Sequence, residues 1–225
     1  MSARLETIAL PPVQTPAEGK LGDLRSAFAT AEEIALRQAW HRKPERDFQP
    51  GTVQAAWCPR FVHVLATLTD ADIVVGGEPS TKSSLAVSDV FQIFAERDGH
   101  GDYIEVHVTP DNRTRVIGWT PDRFAAFRDG EITIDEILCD DCPPPVSRTW
   151  VEKENSCWTA YLRLPVDLLA FAEKAFRPEH SFRGTFCRFD ASPGTVAPVV
   201  SSTSAFPDKP RFHDSRHWHR VALVQ

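Results

Sequence analysis

Two runs of residues on either side of a glycine-bearing reversal constrain this chain more than any other stretch. Val90-Phe91-Gln92-Ile93-Phe94-Ala95 and Tyr103-Ile104-Glu105-Val106-His107-Val108 are dense in β-branched and aromatic residues, with Arg97-Asp98-Gly99-His100-Gly101-Asp102 between them. Such side chains suit a pleated, half-buried surface, and glycine supplies the positive φ that a reversal needs. The pattern predicts a β-hairpin over residues 88–110. The second run alternates strictly. Ile104, Val106 and Val108 fall on one face, and Tyr103, Glu105, His107 and Thr109 on the other. One face is core. The other carries a ring, a carboxylate and an imidazole, and is either a solvated sheet face or a ligand platform.

The rest of the chain repeats the theme. Residues 52–57 and 61–69 form a second pair joined by Cys58-Pro59-Arg60, a connection short enough to require an antiparallel hairpin. Residues 33–40, 114–119, 132–138, 158–164, 185–190 and 220–224 read as further strands. Residues 23–31, 121–128 and 166–176 read as helices. Short strands with turn signals about every ten residues, and little helix, predict an all-β chain. The expected architecture is an antiparallel β-sandwich of immunoglobulin or jelly-roll type. Residues 1–22, aperiodic and Pro-bearing, form an N-terminal segment lying across a single domain of residues 23–225.

A net charge of −6 excludes a nucleic-acid partner, which would need a basic patch. No apolar run is long enough to cross a bilayer. The first residues lack the apolar core of a secretion signal, so a cytoplasmic location is expected. Five cysteines in a chain of this size read mostly as reduced core thiols. Cys139-Asp140-Asp141-Cys142 has the spacing of half a zinc site, but no second pair completes it. It reads as a loop with two incidental cysteines.

Several polar groups are candidate site residues. Asp70 and Asp72 at a strand end present hard oxygens suited to calcium, or equally an Asx-turn. His213, His217 and His219 cluster near the C-terminus. In a strand the last two would face the same way and could grip a metal; otherwise they are a loop histidine and two exposed ones. Asp89 and Gln92 belong to the first hairpin strand, Glu105 and His107 to the second. Thr159, Tyr161 and Arg163 share a face, as do Arg188 and Asp190. If these strands neighbour one another, one sheet face gathers carboxylates, amide, imidazole and guanidinium, the planar polar groups that hold sugar hydroxyls. The alternative is a solvated face with cross-strand ion pairs. Trp119 at a strand end either stacks on a ligand or plugs the sandwich. No nucleophile elbow, phosphate loop or His-Glu-x-x-His is present.

Four stretches carry a likeness to a known family. Phe61–Thr69 running into Asp70-Ala71-Asp72-Ile73 is similar to an apolar strand followed by D-x-D-I. Ser88–Phe94 is similar to D-x-V-E-I-F. Trp158–Leu169 is similar to W-x-x-E-x-x-I-P-x-x-x-L, and Phe206 through Phe212-His213-Asp214 to Val224 is similar to W-x-x-P followed by F-H-x-P-x-x-F-G-x-L. In these the chain resembles the carbohydrate-binding module family 9-like domains, relatives of the DOMON sandwich. The resemblance implies a β-sandwich, often calcium-stabilised, that clamps a sugar between two tryptophans. Here one clamp position falls near Leu85 or Ala86 and the other near Phe206, while Gln92 stands for the family glutamate. DOMON-type cytochromes commonly use an axial Met, and Met1 is the single methionine, so no haem is expected. The resulting expectation is a non-catalytic carbohydrate-binding domain. Asp89, Glu105, His107 and Arg188 are expected to hydrogen-bond the sugar, and Trp119 or Phe206 to give a stacking surface. A scaffold domain that keeps the fold without sugar binding is the alternative, and a glycoside-processing enzyme the third reading. The oligomeric state is left open.

Overall fold

A computed structural model describes residues 6–14, 20–76, 88–96, 101–169, 175–178, 180–194 and 197–225. Twelve described strands form two packed sheets. Their ranges are β1 Thr7–Leu10, β2 Ile34–Ala35, β3 Gly51–Cys58, β4 Phe61–Thr69, β5 Val90–Glu96, β6 Tyr103–Val108, β7 Thr114–Trp119, β8 Val146–Glu152, β9 Cys157–Pro165, β10 Ser181–Asp190, β11 Val199–Ser202 and β12 His219–Leu223. The first sheet runs β1-β12-β10-β5-β6-β7, with β11 also on β10; the second runs β2-β3-β4-β9-β8. All pairs are antiparallel except β1 with β12, which run parallel. Two helices, α1 (Leu21–Ala27) and α2 (Pro121–Asp129), complete the regular structure together with short 3-10 turns.

The expected all-β sandwich is therefore present, and period-2 alternation explains it. Val62, Val64, Ala66 and Leu68 of β4 face Ile104, Val106 and Val108 of β6 across one apolar core, with Phe91 and Ile93 of β5 and Trp158, Ala160 and Leu162 of β9. The predicted hairpin is β5 with β6; of its reversal, residues 97–100 lie outside the described residues, as do Leu85 and Ala86. Both outer faces are also covered. Leu24 of α1 and Phe28, which caps its C-terminus, pack on Ala56, Leu65 and Tyr161 of the second sheet. Over the first sheet, a second cluster joins Phe94, Tyr103, Ile117 and Trp119 to Phe206, Phe212 and Trp218 of the C-terminal segment.

Some local expectations are corrected. Residues 132–138 are not a strand. Ile134–Ile137 is a 3-10 turn, started by a capping box in which the Thr133 N–H donates to Glu136 Oε2 at 2.7 Å. Within 33–40 only Ile34–Ala35 pairs as a strand. Of the expected helix 166–176, Val166–Leu169 is a 3-10 turn and residues 170–174 lie outside the described residues. Cys139 and Cys142 are not two separate loop thiols but are joined as a disulfide. Thr7–Leu10, within the N-terminal segment, is a strand of the first sheet.

Candidate functional site

The outer face of the first sheet is set by register. Cys187 of β10 pairs with Gln92 of β5, Gln92 with His107 of β6, and His107 with Arg115 of β7. One step along, Phe94 pairs with Glu105 and Glu105 with Ile117. Gln92, Glu105 and His107 therefore share this face, as expected. The face is not solvated, however: Glu105 is 4% exposed and His107 3%. The C-terminal segment and α2 fold over it, because the Phe and Trp residues beyond Phe206 bury only against this side.

Glu105 is the centre of the buried polar group. His107 Nε2 lies 2.6 Å from Glu105 Oε1 and donates to it, and the Trp119 indole N–H donates to Oε2 at 2.7 Å. The Gln92 amide nitrogen lies 3.3 Å from Oε1 and 3.0 Å from His107 Nε2. Burial alone raises the Glu105 pKa, but the adjoining His107, with His213 and the Trp119 donor, outweighs it and holds the acid below its usual range. With the acid ionised and His107 donating, the Gln92 nitrogen is the group that faces the carboxylate. Its Oε1 is then buried with no hydrogen-bond donor.

Above this floor is a cleft of about 470 Å³. Gln92, Glu105 and His213 give it polar groups. Phe94, Trp119, Phe127, Phe189 and Phe212 line it with rings, and Ala197, Pro198 and Pro210 form a rim. Local sequence explains the walls. Thr120 caps α2 by accepting from the Arg123 N–H, Pro121 occupies the first turn, and Gly130 ends the helix at φ 80°. The helix so placed sets Phe124 and Phe127 edge-on to Trp119, with ring centres 5.6 and 5.3 Å away. Trp218 donates from its indole to the Phe212 carbonyl at 2.8 Å, fixing Phe212 and His213 over the sheet. His213 Nδ1 lies 2.8 Å from the Tyr103 hydroxyl. Burial lowers the His213 pKa despite the Glu105 charge, and burial beside that charge raises the pKa of Tyr103.

Of the expected site residues, Glu105 and Trp119 line the cleft. His107 supports Glu105 from beneath. Phe206, 1% exposed, sits behind Phe212 with ring centres 5.8 Å apart. Arg188 and Asp89 belong elsewhere. Arg188 pairs with Phe91, so it shares the inner face with Phe186, not the outer face with Glu105. It spans the sandwich, donating to Asp70 Oδ2 at 2.9 Å and the Thr69 carbonyl at 2.6 Å, with Asp190 Oδ1 at 3.1 Å. Asp89 accepts from the backbone N–H groups of Val74 and Ala191 and ties two loops together. Thr159, Tyr161 and Arg163 lie on β9 of the second sheet. The single platform expected from alternation is thus split into three sets, one in the cleft, one around Arg188 and one on β9, and the Arg188 guanidinium is absent from the cleft.

Around Arg188, the oxygens of Asp70, Asp72 and Asp190 lie within 4.8 Å of one another. Burial pushes the Asp190 pKa up to about 7 against the pull of Arg188, and pushes Asp89 up to about 8 against its two backbone donors. The C-terminal histidines do not form the alternative metal grip. His213 is in the cleft, His217 ends a 3-10 turn, and His219 is buried on β12.

The residues that sequence reasoning missed are His213 as a cleft residue and Phe127, Phe189 and Phe212 as its walls. The signal available was the aromatic density of Phe206, Phe212 and Trp218, too apolar for an exposed tail.

No protein-family model matches the sequence, and no curated protein does. Solved structures match over almost the whole length. A carbohydrate-binding module of family 9 from Caldicellulosiruptor kristjanssonii, in complex with cellotriose, is 10% identical with a TM-score of 0.67, covering 97% of this chain and 94% of that one. The same kind of module bound to glucose gives a TM-score of 0.63 at 10% identity, with 97% and 95% covered. A protein from Bacteroides uniformis, described as a candidate carbohydrate-binding protein, gives 0.69 at 11% identity, with 98% and 100% covered. The fold of this chain is that of carbohydrate-binding module family 9.

Proposed function

We propose that the protein binds carbohydrate, without catalysis, in the cleft above Glu105. The observation that carries this reading is a buried, ionised carboxylate beside an unpartnered amide oxygen on the floor of an aromatic-lined cleft. Sugar C–H faces pack on the half-buried rings of Phe127 and Phe189, with Trp119 buried behind them, while hydroxyls donate to Glu105 and Gln92 Oε1. His107 and the Trp119 indole hold Glu105 in place through short hydrogen bonds, so the acceptor is fixed before the ligand arrives. The structural neighbours with cellotriose and glucose bound are consistent with such a ligand. Thermal unfolding against a panel of mono- and oligosaccharides tests it. A sugar at a hundredfold excess over its dissociation constant adds about 2.7 kcal/mol of stability. The expected result is a raised midpoint with at least one sugar, lost in Glu105→Ala. A flat response to the whole panel contradicts the reading.

Calcium, implied by the family, is proposed as a structural ligand of Asp70, Asp72 and Asp190. Both Asp190 oxygens are buried without a hydrogen-bond donor, and the oxygens of three carboxylates converge where one guanidinium pairs with two of them, so the set fits a hard cation. Bound there, the ion would join β4 to β10 and brace the sandwich rather than touch the sugar. Calcium is expected to raise the unfolding midpoint and chelator to lower it, with Asp72→Asn weakening the effect. Identical midpoints with calcium and with chelator would remove the ion from the account.

A further inference from the structure

The polar groups of the cleft are unbalanced in a way that selects among sugars. Glu105 has no donor of its own when ionised, and Gln92 Oε1 is an acceptor without a donor. Most donors nearby are already used. The Trp119 indole N–H and His107 Nε2 are committed to Glu105. The Tyr103–His213 pair spends one of its two protons on the bond between the hydroxyl and Nδ1, leaving one donor against the lone pairs of Glu105 and Gln92 Oε1. Among the described residues that line the cleft, none is Lys or Arg. A ligand that brings donors therefore suits the cleft, where the carboxylate is balanced by His107 beneath it and by no Lys or Arg in the lining. The rings add to this preference. Trp119, Phe94, Phe127, Phe189 and Phe212 present π-systems whose faces attract cations. A cation leaving water for so apolar a cleft needs a counter-charge, and Glu105 supplies one.

We propose that the cleft prefers sugars bearing a free, protonated amino group, whose ammonium sits between Glu105, Gln92 Oε1 and the aromatic walls. This rests on the carbohydrate-binding reading above and narrows it to amino sugars. An ammonium offers three donors at one atom, which matches the local excess of acceptors better than a hydroxyl with one. N-acetylation removes the charge and leaves the nitrogen one donor, so the acetylated sugar tests charge against ring shape.

Calorimetric titration of the full chain with glucosamine, glucose and N-acetylglucosamine, in mildly acidic buffer that keeps the amine protonated, separates the outcomes. The expected result is glucosamine binding about tenfold more tightly than glucose, with N-acetylglucosamine no tighter than glucose. In Glu105→Gln, which keeps the side-chain shape, glucosamine is expected to lose its advantage over glucose whatever the absolute affinities, and a tenfold preference that survives the substitution overturns the role given to the charge. Glucose binding as tightly as glucosamine overturns the amino-sugar preference and leaves carbohydrate binding intact. Binding of none of these sugars, nor of cellotriose added as a control, overturns both.

Discussion

Arg188 and Glu105 are both buried charges, yet they do opposite things. Arg188 crosses between the sheets to Asp70 and Asp190, where its loss strands carboxylates away from water. Arg188→Met is expected to cost about 3–5 kcal/mol in urea denaturation, because one partner of a buried pair is removed. In the folded remainder, sugar affinity is expected to stay unchanged; a specific loss of affinity at wild-type stability would place Arg188 back in the site. Glu105 instead faces the cleft, and Trp119 holds one of its oxygens. Trp119→Phe keeps a ring but deletes the indole donor, a hydrogen bond to charge worth about 1.5–3 kcal/mol. Weakened sugar binding by calorimetry, with the thermal midpoint also lowered, is the expected outcome. At this scale the sequence was only half legible. Alternation correctly put Glu105 with His107 and Arg188 with Asp190. Whether those two pairs shared a face depended on the register of β10 against β5, and Cys187 rather than Arg188 pairs with Gln92. Register between strands far apart in the chain is fixed by packing, which local periodicity does not record.

The elements show the same division. β4, β5, β6 and β9 were readable because each has a strictly apolar inner face over six to nine residues. The Ile134–Ile137 turn was misread as a strand because its apolar residues alternate, although Thr133 and Glu136 stand at capping-box spacing. The covering of the outer sheet face was not legible, since α2 has no buried residue and so no strong apolar stripe. Its position relies on its caps. Gly130 ends it at φ 80°, and an added methyl there would meet nothing within 4 Å. Gly130→Ala is therefore expected to destabilise through backbone strain alone, by about 1–2 kcal/mol in chemical denaturation. The frayed helix would also loosen Phe127, so sugar affinity is expected to fall with it. Unchanged stability in that variant would show that the left-handed cap carries no weight.

For the whole molecule, the two sheets and their two outer layers make three apolar clusters, and titratable groups buried in them set the response to acid. His63 on β4 is fully buried, with Nδ1 2.9 Å from the Tyr161 hydroxyl and Nε2 3.3 Å from Cys58 Sγ. Burial, and then the Arg163 charge, lower its pKa from 6.5 to about 4. The folded pKa lies below the unfolded one, so both states are neutral at high pH. As pH falls from 6.5 towards 4 the unfolded chain takes up a proton that the native chain refuses. Across that window His63 is expected to remove up to about 3 kcal/mol of stability, while Asp89 and Asp190, whose folded pKa values are raised, add to it. The His63 share is therefore read as the difference in slope between the wild type and His63→Gln. An equal slope in the variant would assign acid sensitivity to other groups.

The central claim is that a sugar sits over Glu105 and Trp119, on the outer face of the first sheet. A crystal structure of the protein with a bound sugar tests it most directly. The expected result is a sugar ring in the cleft, packed on Phe127 or Phe189, with a donor group on Glu105 or Gln92. A sugar bound anywhere else on the sandwich, with the cleft left to solvent, would contradict it.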